Sequence, residues 1–282
     1  MNPSQLSWLS GSPLEAEHRK LMRGRYADIE WHRSTAAALT PAQRERLALT
    51  WRRRLGAEYI AISTFSVLSI DLCAARAPAD ILSMVHRAAI DEIRHAEYCC
   101  RMAELYGGEP VTPEAKISNL PDDRSAPRVE QALSNALLVS AVAETYATVV
   151  LGAVRDRTSD PVARAVLNNI YADEVQHARI GWAYLAHCLG APGAGPGVRA
   201  AAERMIPRAV QGCANVVEAP RATSGAIDAA LIAHGMMSPE DERALFVKSV
   251  HEVLAPGFEA LGLAVGDIRS KFDDTWATTA AA

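Results

Sequence analysis

The sequence predicts an all-α protein built on a four-helix bundle, and three observations carry that expectation. Four long stretches place apolar residues at three-four spacing, each bounded by helix start and stop residues. Hydrophobic residues make up 49% of the 282 positions, while glycines and β-branched runs are too sparse to punctuate repeated short strands. The helices also fall into two similar halves, each carrying an inward glutamate followed about thirty residues later by Asp-Glu-x-x-His-Ala.

In chain order, Thr40, Pro41 and Gln43 combine an N-cap, a first-turn proline and a capping-box acceptor. The first bundle helix therefore opens there and runs to about Ala74. A second helix starts near Pro78 and Asp80 and stops at Gly107 and Gly108, since paired glycines favour a C-terminal cap. The stretch GGEPVTPEAKISNLPDDRSAP is rich in proline, glycine and acid, so it reads as a long crossover of roughly twenty residues. The third helix covers about Arg128 to Arg155, and Asp160 with Pro161 opens the fourth, which ends near Gly190. The short turn between these two makes them antiparallel neighbours. After the loop APGAGPG, one helix around Val198 to Cys213 and another from Ser238 to about Leu263 are expected to cover the bundle. The resulting division is an N-terminal extension (1–39), a bundle (40–190), and C-terminal helices with a tail (191–282). Trp31 and its charged neighbours hint at some order in the extension, and residues 264–282 show no clear period.

Composition narrows the function. The net charge is -4, so no broad basic field exists for nucleic acid or an anionic membrane. Cys73, Cys99, Cys100, Cys188 and Cys213 form no C-x-x-C pair and no disulfide spacing, which favours reduced thiols. The N-terminal segment MNPSQLSWLSGSPLEAEHRK has no basic region followed by an apolar core, so the expected location is the cytoplasm. The most apolar stretch, Ala136 to Val154, carries Glu144 at its middle, where an unpaired carboxylate is costly in lipid; it reads as a core helix of the bundle.

The chemistry lies on the inner helix faces. On the second helix, Val85, Ala88, Ala89, Glu92, His95, Ala96, Cys99, Met102 and Ala103 share one face; on the fourth, Leu167, Ile170, Tyr171, Glu174, His177, Ala178, Gly181 and Leu185 do the same. Glu58 falls in the stripe Trp51, Leu55, Ala61, Ile62, Phe65, and Glu144 in Leu137, Ala141, Ala147, Thr148, Leu151. A single E-x-x-H is weak, because 19 glutamates and 8 histidines in 282 residues give about half a match by chance; Glu15 and His18 form such an accident. Two matches on apolar faces, each joined by an upstream inward glutamate, are a specific pattern. Buried carboxylates without a counter-charge cost several kcal/mol each. Two divalent ions balance four glutamates, with His95 and His177 as neutral nitrogen donors. Mixed oxygen and imidazole ligation suits iron, with manganese or a mixed Mn/Fe pair also compatible. Asp91 and Asp173 are placed to accept the outer N–H of the opposite histidine, pairing Asp91 with His177 and Asp173 with His95, and Arg94 to clamp one of these acids. Tyr98, Tyr146 and Tyr171 read as packing residues. Ala61, Ala147 and Gly181 are expected to leave room beside the metals.

Glu58, the run from Asp91 to His95, Glu144 and the run from Asp173 to His177 resemble the ferritin-like di-iron carboxylate superfamily over about residues 42–190. The resemblance implies a ferritin-like four-helix bundle with a two-iron centre, but not a substrate. The absence of a C-x-x-C pair departs from rubrerythrins, and the chain is far longer than a ferritin subunit. Cys99 stands where a radical-subunit tyrosine is expected, and Ile170 where arylamine N-oxygenases add a histidine. Thr148, one turn after Glu144, and Asp-Glu-x-Arg-His resemble multicomponent monooxygenases; the plainer role for Thr148 is a bond to its own helix. The expectation is a non-haem di-iron oxygenase or oxidase that uses O2, a small organic substrate and an external electron donor. The alternative is a ferroxidase or iron-handling protein. The pattern leaves room for a homodimer.

Overall fold

Thr40 opens the longest helix as its sequence dictates. Its hydroxyl accepts from the Gln43 N–H (3.2 Å), and the Gln43 side chain accepts from the Thr40 N–H (2.9 Å), a complete capping box ahead of Pro41. The computed structural model describes residues 13–22, 24, 28–114, 117–118, 120–122, 125–190, 196–219 and 226–279. Among these the chain is an all-helical bundle with no strand. The helices are α1 (Leu14–Leu21), α2 (Pro41–Ala74), α3 (Ala79–Gly107), α4 (Arg128–Arg157), α5 (Pro161–Gly190) and α6 (Pro196–Glu218). They are followed by α7 (Ala229–Ala233), α8 (Pro239–Ser249), α9 (Ala255–Ala260), α10 (Ile268–Lys271) and α11 (Asp274–Thr279).

The stops follow local chemistry too. α3 ends on Gly108 at φ 75°, the left-handed cap that glycine adopts without strain. Asp160 caps α5 by accepting from the Val162 and Ala163 N–H groups at 3.1 and 2.8 Å. Its other carboxylate oxygen accepts from the Thr35 N–H (2.7 Å), which ties the 3-10 turns at Trp31–Arg33 and Ala36–Ala38 to the bundle.

α2 packs along α3, α4 along α5, and α3 against α5. α2 meets α4 over the first turns, Arg128–Ala136, where the Asn135 amide donates to Asp71 (2.6 Å). Beyond those turns the residues between 226 and 249 act as a wedge bonded to both helices. Arg46 donates to the Ala226 carbonyl (2.8 Å), Arg54 to that of Gly235 (2.8 Å), and Arg157 to Asp241 (2.7 Å). The wedge does not seal the interior. Every residue of α4 from Tyr146 to Ala153, and of α2 from Glu58 to Thr64, is half-buried, with neither a fully covered nor a fully exposed face.

Three features depart from the sequence expectation. The third bundle helix is interrupted by a π-helical stretch, Leu137–Glu144, and a second one, Val250–Leu254, follows α8 where a continuous helix to Leu263 is expected. Gly181 leaves no room beside the cluster: a Cβ there would stand 2.4 Å from the Ala141 nitrogen and 2.5 Å from the Ala136 oxygen, so the α4 backbone occupies that space. The tail carries two short helices whose Phe272 and Trp276 rings pack on Phe246 at 5.3 and 5.1 Å. Part of the crossover and residues 191–195 of the APGAGPG loop lie outside the described residues.

α2 and α4 are long and apolar enough to cross a membrane by length and composition. Each carries a glutamate into a polar centre, an arrangement compatible with a soluble protein. That centre divides the apolar core. One cluster holds Phe65, Leu68, Val85, Leu137 and Tyr184; the other holds Trp51, Leu55, Met102, Val166 and Ile170.

Candidate metal centre

Helix spacing brings the chemistry together. Glu92 and His95 lie one turn apart on α3, Glu174 and His177 one turn apart on α5, and the facing helices set the two pairs across the bundle axis. His95 Nδ1 is 3.4 Å from Glu92, 3.2 Å from Glu174 and 3.5 Å from Glu58. His177 Nδ1 is 2.9 Å from Glu92 and 3.4 Å from Glu174. Two groups result, each with ligand atoms within 4.8 Å of one another: Glu58, Glu92, His95 and Glu174, and then Glu144, Glu174 and His177. Glu174 belongs to both.

The outer ring nitrogens turn away toward acids. His95 Nε2 is 3.3 Å from Asp173 Oδ2, and His177 Nε2 is 3.7 Å from Asp91 Oδ2. Arg94 spans both acids, donating to Asp173 and standing 3.2 Å from Asp91. Arg87, four residues before Asp91, donates to it at 3.2 Å from the surface. Helical spacing alone contains that contact, although the sequence reading passes over it. The result orders His95: a proton on Nε2 shared with Asp173 leaves the Nδ1 lone pair facing the carboxylates, whereas His177 Nε2 stands 3.7 Å from Asp91 without a hydrogen-bond partner.

Whether a cation fits is decided by unpaired atoms. Both oxygens of Glu92, Glu174 Oε2, His95 Nδ1 and His177 Nδ1 are buried and have no hydrogen-bond partner. Buried polar atoms are almost always satisfied, and these five converge on one another. Carboxylate oxygens and imidazole nitrogens together form a donor set for a divalent metal ion. The cluster could hold a metal ion.

Electrostatics agree. Burial pushes Glu58 up to about 8 despite the pull of His95. Burial and the neighbouring Glu174 push Glu144 well above the carboxylate range. Burial and the Glu174 charge act to raise Glu92, but the imidazoles of His95 and His177 outweigh them and hold it below its ordinary value. Glu174 is held well below its own, because His177 overcomes burial. Both histidines are raised well above the ordinary imidazole range, since the carboxylates outweigh the burial that opposes their charge. Burial opposes ionisation of Asp91 as well, yet His177 and Arg94 lower it to about 2. With no cation, protonation is thus favoured at Glu58, Glu144, His95 and His177, the direction expected where buried carboxylates lack a bound positive charge.

The remaining sequence candidates fall as follows. Thr148 is half-buried, and its hydroxyl donates to the Glu144 carbonyl one turn back (2.8 Å). His18 of the Glu15-x-x-His18 match pairs with Glu97 (2.6 Å), far along the chain from Glu15. The Tyr146 hydroxyl donates to the Glu242 carbonyl (3.3 Å), and Tyr171 lies under Arg155 (4.2 Å). A residue that the sequence did not flag is Ser140, inside the π-helical stretch. Its hydroxyl donates to the His177 carbonyl (2.5 Å) and accepts from the Gly181 N–H (2.6 Å), which links the Glu144 segment to the His177 turn. No amphipathic pattern singles out such a serine. No protein-family model matches the chain, and no curated protein matches its sequence.

Proposed function

We propose that the chain is a ferritin-like, non-haem di-iron oxidoreductase that activates O2 to oxidise a small organic substrate. The observation that supports this most is the convergence of buried, unpartnered carboxylate and imidazole atoms from Glu92, His95, Glu174 and His177. Glu58 and Glu144 complete the set from α2 and α4. Bound in this set, two iron ions supply the electrons that reduce O2 and the oxidising power directed at the substrate.

The protein's own residues divide the remaining work. Asp173 holds the Nε2 proton of His95, so that Nδ1 stays free to bind metal, Asp91 faces His177 Nε2 at 3.7 Å as its counter-charge, and Arg94 fixes both acids. The α3 and α5 side of the cluster excludes water, with the side chains of Glu92 and Glu174 exposed by 1% and 4%. The α2 side is more open, with Glu58 at 13%, so substrate and O2 approach between α2 and α4. Electrons come from a separate donor protein or from the substrate.

The deciding experiment loads metal-free protein with Fe(II) under anaerobic conditions, admits O2 and follows ferric absorbance with iron in excess. Oxidation of two irons per chain that then stops, resumed by a reductant, is the expected outcome. Many irons oxidised per chain would replace this reading with ferroxidase activity, in which Fe(II) is the substrate. Failure to bind Fe(II) or Mn(II), with unchanged stability, would defeat both.

A further inference from the structure

Beside the cluster, the half-buried Arg54 forms no ion pair with an acid among the described residues. Arg54 lies one turn before Glu58 on α2. Its Nη2 donates to the Gly235 carbonyl (2.8 Å), and its guanidinium covers the Trp51 ring at 4.6 Å. Its Nη1 is sealed from solvent without a hydrogen-bond partner. The acid on the nearby wedge, Glu242, pairs with Arg53 instead (3.6 Å). Burial pushes the Arg54 guanidinium down from its ordinary value although Glu242 and Glu58 act against it, and an arginine keeps its proton in proteins, so the site holds a positive charge with no anion bonded to Nη1.

The surroundings of Nη1 set the scale of that anion's carrier. A Cβ placed on Gly235 would meet Leu167 at 3.4 Å, Arg54 Nη1 at 3.5 Å and the Thr158 hydroxyl at 3.6 Å. Nη1 therefore lies at the level of Leu167, seven residues before Glu174 on α5, or roughly 10 Å along the bundle axis from the cluster. Between the two levels α4 presents Ala147, Thr148 and Leu151, all half-buried rather than sealed. A charged end at Arg54 and an apolar body along this strip would carry the far end of a ligand to the Glu58 side.

We propose that Arg54 anchors the carboxylate of an organic-acid substrate whose apolar remainder, roughly six bonds long, reaches toward the Glu58–Glu144 face. This rests on the di-metal reading above and adds the substrate class to it. Arg54 is a binding residue here, with no part in holding metal.

Calorimetric titration of the intact protein, metal-free and Zn(II)-loaded, with hexanoate and with its neutral counterpart hexanamide tests the assignment. The acid is expected to bind about tenfold or more tightly than the amide. Arg54→Gln removes that preference, Arg54→Lys keeps part of it, and both variants still take up two Zn(II) per chain. Equal binding of acid and amide, no binding of either, or an unchanged preference in Arg54→Gln overturns the proposal and leaves the metal reading standing. If Arg54→Gln does not fold by circular dichroism, the wild-type preference and its reduction in Arg54→Lys decide; a lysine variant that matches wild type overturns it. Loss of Zn(II) uptake by wild type with the acid preference intact would sink the di-metal reading alone.

Discussion

Metal loading should expel close to four protons from the protein for every two divalent ions bound. Burial raises Glu144, and the surrounding carboxylates raise His95 and His177 against burial, so all three favour the protonated form when no metal is bound. Glu58, pushed up to about 8, is roughly nine-tenths protonated at that pH. Glu92 and Glu174 are already ionised and contribute nothing. Ligation requires ionised carboxylates and a free Nδ1 on each ring, so these four groups all give up their protons. Anaerobic addition of Fe(II), or of redox-silent Zn(II), to lightly buffered metal-free protein with an indicator dye counts the release directly. Affinity then rises with pH by up to about four decades per pH unit for the pair of ions. The slope eases toward about three decades per pH unit above about pH 8, where Glu58 is already ionised in the metal-free protein. Glu58→Gln should lower the release to about three. A count of one or fewer per two metals would refute the claim that the cluster is charge-balanced by protons when empty of cations.

Further expectations concern stability and the outer contacts. The metal-free fold binds more protons than the unfolded chain at Glu58, Glu144, His95 and His177. The raised histidines contribute stability that is complete below the ordinary imidazole value and lost as pH climbs through their folded values; the raised glutamates act in the same direction from above about pH 4.5. Denaturant midpoints of metal-free protein should therefore fall as pH rises from about 4.5 to about 8, more steeply once the ordinary imidazole value of 6.5 is passed, while those of loaded protein hold; parallel behaviour of the two forms would contradict the assignment. Asp173→Asn leaves His95 and Arg94 without their shared carboxylate, and metal affinity measured by chelator competition should drop by about 10- to 100-fold. An affinity equal to wild type would remove Asp173 from the orienting role. Gly181→Ala drives a methyl into the α4 backbone, which cannot yield as a side chain would, and should cost roughly 3 kcal/mol in urea unfolding. An unchanged midpoint would show that α4 and α5 do not approach as described.

How much was legible beforehand depends on the range of the interaction. The Thr40 capping box, the Gly108 cap and the Asp160 cap are contacts over a few residues, so residue type and spacing suffice to read them. The facing of Glu92 with His95, and of Glu174 with His177, follows from helical geometry in the same way. The mutual approach of the two pairs, with Asp173 beside His95 and Asp91 beside His177, is expected from the sequence because each Asp-Glu-x-x-His run supplies one half of it. The structure gives the distances. Gly181 was misread because its local pattern cannot distinguish an open space from one taken by another helix's backbone.

By itself, then, the sequence determined the all-helical class, the bounds of the main helices and which carboxylates and imidazoles face the interior, because those depend on period, capping and charge within one segment. Only the tertiary structure decided the π-helical stretch at Glu144 and the Ser140 link to the His177 turn. It also placed residues 226–249 between α2 and α4 and left Arg54 unpaired beside the cluster. Each of these depends on which distant segment occupies a given volume, a choice made by packing the whole chain rather than by any local preference.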